Sequence, residues 1–165
     1  MLKTALIMGS DSDLPRLKPA LDIFEKFGMP YEMHIISAHR TPDAAAAFAR
    51  SARENGFGVI IAAAGKAAHL GGILAAYTTL PVIGLPIKAS ALEGLDALLS
   101  IVQMPAGIPV ATVAIDGAAN AAILAAQIIA LTDAALGETL AAYKVKMAEE
   151  VAEKDRSLSQ KEIIS

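Results

Sequence analysis

The chain has 165 residues (17.0 kDa), with 14 Lys and Arg against 17 Asp and Glu, a net charge of −3, no cysteine and few aromatics. Without a basic block or interleaved aromatics, neither the phosphate attraction nor the base stacking of nucleic-acid binding is on offer. Without cysteine there are no disulfides, thiolate nucleophiles or thiolate-held metals. The 55 % apolar fraction and mean hydropathy of +0.50 contain no uninterrupted apolar run near the roughly 20 residues that a membrane span takes. The chain therefore reads as one soluble, cytoplasmic domain over residues 1–165, whose surplus apolar surface predicts burial between subunits.

Short apolar runs alternate with segments of helical period. The first run, Lys3–Met8, passes straight into Gly9-Ser10-Asp11-Ser12-Asp13 with no small-residue cleavage pattern, so it reads as a buried strand rather than a signal segment. A helix over Leu14–Phe27 follows, with Leu17, Leu21, Phe24 and Phe27 in one stripe, stopped by Gly28 and Pro30. Residues 31–36 form the second strand. Thr41, Pro42 and Asp43 open a second helix with an N-cap hydroxyl, a first-position proline and a first-turn acid, and it ends near Asn55-Gly56.

The third run, 59–63, is continuous rather than alternating, as in a parallel strand covered on both faces. A helix over 67–78, a strand over 81–85 closed by Pro86, a helix over 92–104 with Leu95, Leu98, Leu99 and Val102 on one face, and a strand over 110–115 come next. From Asn120 an apolar helix runs to about Leu136, where Gly137 breaks it. A further helix over 138–154 carries Leu140, Tyr143 and Met147 on one side; lying beyond the repeat, it is expected on a neighbouring subunit, and 156–165 to lie outside the ordered fold.

Strands alternating with helices imply a three-layer α/β fold: a doubly wound parallel sheet, because parallel neighbours need crossovers of a dozen residues or more. Five strands suit the flavodoxin-like order 2-1-3-4-5, with a core over about 3–136 and an extra C-terminal helix. In that order the loops after the first three strands are neighbours at the carboxyl edge. All three are rich in chemistry.

Gly9 to Asp13 is a small loop at a helix start, where backbone N–H groups and the helix dipole favour an anion. Its aspartates suit hydroxyls such as those of a ribose, while Ser12 or Asp13 also reads as a plain N-cap. In the second loop, Ser37 is a donor, His39 a proton carrier suited to neutral pH, and Arg40 a two-pronged partner for phosphate or carboxylate; Arg40 reads equally as a salt bridge to Asp11, Asp13 or Asp43. In the third, Gly65, Lys66, Ala67 and Ala68 leave room for a ligand against backbone, or permit tight helix packing. Lys66 meets a carboxylate or solvent there, and His69 orients a ligand or caps a helix. His34, within the second strand, reads as structural. No histidine or acid spacing suggests a metal site, and no Gly-x-Ser-x-Gly elbow is present.

These motifs, Met8-Gly-Ser-Asp-Ser-Asp13, Ser37-Ala-His-Arg-Thr-Pro42, Ala67-Ala-His-Leu70, Leu80-Pro-Val-Ile-Gly84 and Ser100-Ile-Val-Gln-Met-Pro-Ala-Gly-Ile-Pro-Val110, resemble in order the class I N5-carboxyaminoimidazole ribonucleotide mutases, the PurE family of purine biosynthesis. The resemblance spans about 3–129. It implies an enzyme with no metal or cofactor, a homo-octamer, that moves the carboxylate of its ribonucleotide substrate from the exocyclic nitrogen to C4 with CO2 as a trapped intermediate. It further implies that His39 carries the protons, that Ser10, Asp13 and Arg40, with Ser12 and Ser37 beside them, hold ribose and phosphate, and that Gly65 to His69 wall the imidazole and CO2 pocket. Lys66 departs from the family, which usually has glycine there. Relatives that carboxylate aminoimidazole ribonucleotide directly differ in the loop where this chain has Ala67-Ala68-His69, so direct carboxylation is the nearest alternative, with a non-catalytic phosphosugar-binding module the other.

Overall fold

A computed structural model of the chain describes residues 1–89 and 91–162. Strand β1 (Lys3–Met8) leads through a 3₁₀ turn (Asp11–Asp13) into α1 (Leu14–Phe27), followed by β2 (Tyr31–Ile35), α2 (Pro42–Ser51), β3 (Phe57–Gly65), α3 (Leu70–Tyr77), β4 (Val82–Ile87), α4 (Leu95–Val102), β5 (Ala111–Thr112), α5 (Ala118–Ala130) and α6 (Ala134–Glu162). The strands pair in parallel in the order β2-β1-β3-β4-β5, the order expected.

Alternate side chains of each strand feed two apolar layers. Leu6, Met8, Val59, Ile61 and Ala63 face α1, α5 and the start of α6, while Ala5, Ile7, Ile60, Ala62 and Ala64 face α2, α3 and α4. The α1 stripe behaves as its period requires, with Leu17 and Phe24 fully buried and Gly28 ending the helix at φ +64. On the other face, α4 lies so close to β4 that a Cβ at Gly84 would overlap the Ile101 side chain, and would also come within 2.9 Å of Val110 just before β5. A side chain there would push Ile101, and the helix with it, outward.

Several boundaries differ from expectation, each for a local reason. β4 continues through Pro86 to Ile87. The Pro86 carbonyl accepts from the Asp116 N–H on the β5 side, beyond the end of the β5 ladder, so the missing proline N–H interrupts no pairing. Thr41 does not cap α2: its hydroxyl donates to the Ser37 carbonyl and accepts the Ser37 N–H, tying the turn before the helix. On α4 the side chains buried are Ala97 and Ile101, whereas Leu95, Leu99 and Val102 stand about half exposed.

The C-terminal region changes most. The apolar helix stops at Ala130, and α6 starts at Ala134 rather than 138, because the Asp133 carboxylate accepts the Leu136 N–H and restarts the helix. Gly137 lies inside α6, at a surface position where it costs a helix only about 1 kcal/mol. Residues 156–162, expected outside the fold, are helical; 163–165 fall outside the described residues. Leu136 and Leu140 pack into this chain's own core and Tyr143 sets its ring edge-on to Phe27, so the first turns of α6 belong to the molecule itself. At 100° per residue, Leu136, Leu140, Tyr143, Met147, Val151 and Leu158 share one face. That face is buried at its start and exposed from Met147 onward.

Candidate active site

A cavity of about 710 Å³ opens at the carboxyl edge of the sheet, lined from the loops after β1, β2, β3 and β4. The parallel order dictates this: β2, β1, β3 and β4 are consecutive in the sheet, so the loops that follow them share one rim. All the expected site residues line it except Asp11, which accepts a hydrogen bond from the Ser10 hydroxyl at 3.2 Å.

The first loop is folded by serine. Ser10 caps the 3₁₀ turn by accepting the Ser12 N–H at 3.3 Å, and the Ser12 hydroxyl also donates to it at 3.0 Å. Asp13 makes no capping bond, so its carboxylate is available to the cavity. Burial pushes the Asp13 carboxyl above its ordinary range; the Ser12 hydroxyl and the Arg16 charge oppose that, and Asp11 adds to it.

Arg40 is held in place before any ligand arrives. It donates through Nη2 to the Gly9 carbonyl at 2.9 Å, through Nε to Ser37 Oγ at 3.4 Å, and through its backbone N–H to the same Oγ at 3.2 Å. These bonds lock the loop after β2 onto the loop after β1. Among the described residues none of Asp11, Asp13 and Asp43 pairs with Arg40, so its charge is not neutralised by the protein.

His39 crosses to the loop after β3, where its Nε2 lies 2.8 Å from His69 Nδ1 with the rings edge-on. Its partner His69 donates its backbone N–H to the Ala67 carbonyl at 2.9 Å at the start of α3. Gly65 suits a crowded place, since a Cβ there would stand a tight 3.1 Å from the Ile87 carbonyl. Lys66, directly after it, has φ +56, a conformation that L side chains avoid. His34 is away from this rim, with its ring against Phe48.

The loop after β4 was not anticipated. Ile87, Lys88 and Ala89 line the cavity, as do Leu70 of α3 and Arg16 of α1. Arg16 pairs with Asp116, whose other oxygen accepts the Lys88 N–H at 3.0 Å; Lys88 pairs in turn with Glu93. Strand order held the missing signal: β4 adjoins β3, so its loop had to reach the rim, and Arg16 stands one turn after Asp13. Arg16, Arg40, Lys66 and Lys88 give the walls a cationic balance suited to an anionic ligand, with the His39–His69 pair available to move protons. No cluster of ligating side chains for a metal ion occurs among the described residues, and no helix there is long and apolar enough to cross a membrane.

Comparison with known proteins agrees with this fold. The family model described as AIR carboxylase matches residues 3–150. An N5-carboxyaminoimidazole ribonucleotide mutase of Pyrococcus horikoshii is 59 % identical over 155 residues, covering 94 % of this chain and 88 % of that one. A second, from Thermotoga maritima, is 54 % identical over 160 residues, covering 97 % of this chain and 94 % of the other. Among solved structures, a crystal structure of Treponema denticola PurE superposes with a TM-score of 0.86 at 27 % identity, covering 94 % of this chain and 98 % of that one.

Proposed function

From the premise that this chain belongs to the AIR carboxylase family, which its match over residues 3–150 establishes, we propose how its cavity performs the reaction of its mutase relatives. The chain is an isomerase of purine biosynthesis, an N5-carboxyaminoimidazole ribonucleotide mutase, like the relatives of Pyrococcus horikoshii, Thermotoga maritima and Mycobacterium tuberculosis that it matches at 50–59 % identity over nearly their whole length. The observation that carries the assignment to this cavity is His39 standing 2.8 Å from His69 on a wall otherwise rich in cations.

In this reading the substrate phosphate lies against Ser10, Ser12 and Arg40, with the Gly9 backbone and Ser37 holding the arginine, and Asp13 accepts from ribose hydroxyls. Asp11 acts through Ser10 rather than by touching the ligand. His39 delivers a proton to the carbamate nitrogen as its C–N bond breaks, releasing CO2 and a neutral amine. The electron-rich ring attacks CO2 through C4, and His39 then takes the C4 proton, restoring the aromatic ring. One proton is given and one taken, so no net proton is exchanged. Gly65, Lys66, Ala67 and His69 form the wall beside the imidazole and CO2. Small residues there confine CO2 next to C4, which maintains an effective concentration that escape to water would abolish.

The working unit is a homo-octamer of single α/β domains in the cytoplasm, using no metal or cofactor. The exposed apolar side chains of α4 and the outer part of α6 support the association. The test is to mix purified protein with N5-carboxyaminoimidazole ribonucleotide and follow the absorbance of the 4-carboxy product. Acceleration over the spontaneous route is expected, and its absence removes the enzyme reading. Aminoimidazole ribonucleotide with bicarbonate, supplied alone, is expected to give no comparable turnover.

A further inference from the structure

We infer that Lys66 is a specificity-determining residue that recognises the ring carboxylate of the ligand rather than its phosphate. The inference rests on the mutase reading of the same cavity. Lys66 lines the cavity with φ +56, where glycine is at home and a lysine is strained. The strain lies directly after Gly65, which pairs with Ile87 at the end of the β3–β4 ladder, so the loop leaves the sheet from a fixed point. A strained residue persists where its surroundings hold it and its side chain is useful.

Two of the other cations of the cavity are paired within the protein, Arg16 with Asp116 and Lys88 with Glu93, which leaves Arg40, held by Gly9 and Ser37, and Lys66 as the uncompensated charges. Among the described residues Lys66 makes no ion pair or side-chain hydrogen bond, so its ammonium is available to a ligand anion.

Position decides which anion. Arg40 spans the loops after β2 and β1, one half of the rim, where the serines are. Lys66 belongs to the loop after β3, the loop that also carries His69, and β3 lies beside β4 in the sheet. His39 reaches that half, so the reacting ring lies there and the phosphate lies at Arg40. Substrate and product both carry a carboxylate on or beside the ring, whereas the CO2 between them is neutral. A cation facing that carboxylate favours both bound states and not the intermediate, and so acts on affinity more than on the chemical step.

The experiment compares the carboxylated product with aminoimidazole ribonucleotide, which has the same phosphate and ribose but no carboxylate, by calorimetric titration of the wild type and Lys66→Met. The variant is expected to bind the product about tenfold more weakly and aminoimidazole ribonucleotide within twofold of the wild type, with Lys66→Arg recovering product affinity. In turnover assays the loss in kcat/KM is expected to fall on KM. Equal weakening of both ligands by Lys66→Met would assign the lysine to the phosphate and overturn the inference, as would no weakening of either. If the wild type binds neither ligand, the mutase reading fails as well, an outcome distinct from the variant results.

Discussion

His39 and His69, thirty residues apart, meet through Nε2 and Nδ1 at 2.8 Å. At that distance one nitrogen donates and the other accepts, so the tautomer of each ring is set by the other. Where His39 donates, it gains a proton at its other nitrogen and the contact persists; where His69 donates, a proton gained at His39 Nε2 breaks the contact, because two N–H groups cannot face one another. The direction of this hydrogen bond therefore decides which nitrogen of His39 carries the transferred proton.

His39→Asn removes the proton carrier while keeping a polar side chain of similar reach. Its kcat is expected to fall by at least about 100-fold, the usual scale for losing a general acid–base group, while product affinity measured by calorimetry stays within a few-fold of the wild type. Near-normal turnover would mean that the proton moves through another group.

Asp13 gives a pH dependence of stability with a definite sign. Its carboxyl is raised above the ordinary value near 3.8 because burial penalises the charge, so the folded chain holds this proton more tightly than the unfolded one. Its stabilising contribution is present in full below the ordinary value and is lost as pH rises through the higher folded value. Asp13→Asn is expected to be more stable than the wild type toward urea at pH 7, with the advantage shrinking in acid. A variant advantage that grew in acid would reverse the assignment.

Lys66→Gly relieves a left-handed residue, which costs an L side chain about 1–2 kcal/mol, and gives back part of that through the freedom of glycine in the unfolded chain. A rise in Tm of roughly 1–4 °C is expected by calorimetry. A fall would show that the lysine side chain stabilises the loop by contacts of its own.

Removing residues 144–165 spares Leu136, Leu140 and Tyr143, which anchor α6 to the core, and deletes Met147, Val151 and Leu158. The shortened chain is expected to stay folded, its helical circular dichroism reduced only by the deleted turns of α6, and to contain fewer subunits per particle in light scattering. An unchanged oligomer would assign the association to α4 and the rest of the surface.

Much of the fold was legible because strand and helix periods differ and because the loops between them hold glycine and polar residues. Alternation implied a parallel sheet and the count of five strands its order, and with that order the meeting of Ser10, His39 and Lys66 at one rim. Helix ends were harder to read. Asp133 restarts a helix from inside an apolar stretch, where a single cap is faint against the continuing period, and Gly137 in α6 has the appearance of a stop. The stripe of Leu95, Leu99 and Val102 was visible as a stripe, but a period cannot say whether its face meets the sheet or the outside. Ile87 and Lys88 escaped notice because their loop has little chemistry of its own and depends on Asp116, 28 residues later, to hold it.

The two-residue ladder of β5 has a further effect. A parallel sheet ordinarily ends in a border of unpaired backbone that invites strands from other molecules. On the β5 side that border is nearly absent, for β5 matches only Ile83 and Gly84 before the chain turns away to Asp116, so the sheet keeps its one long open edge at β2. A contact with another molecule on the β5 side therefore runs through side chains and not through added strands.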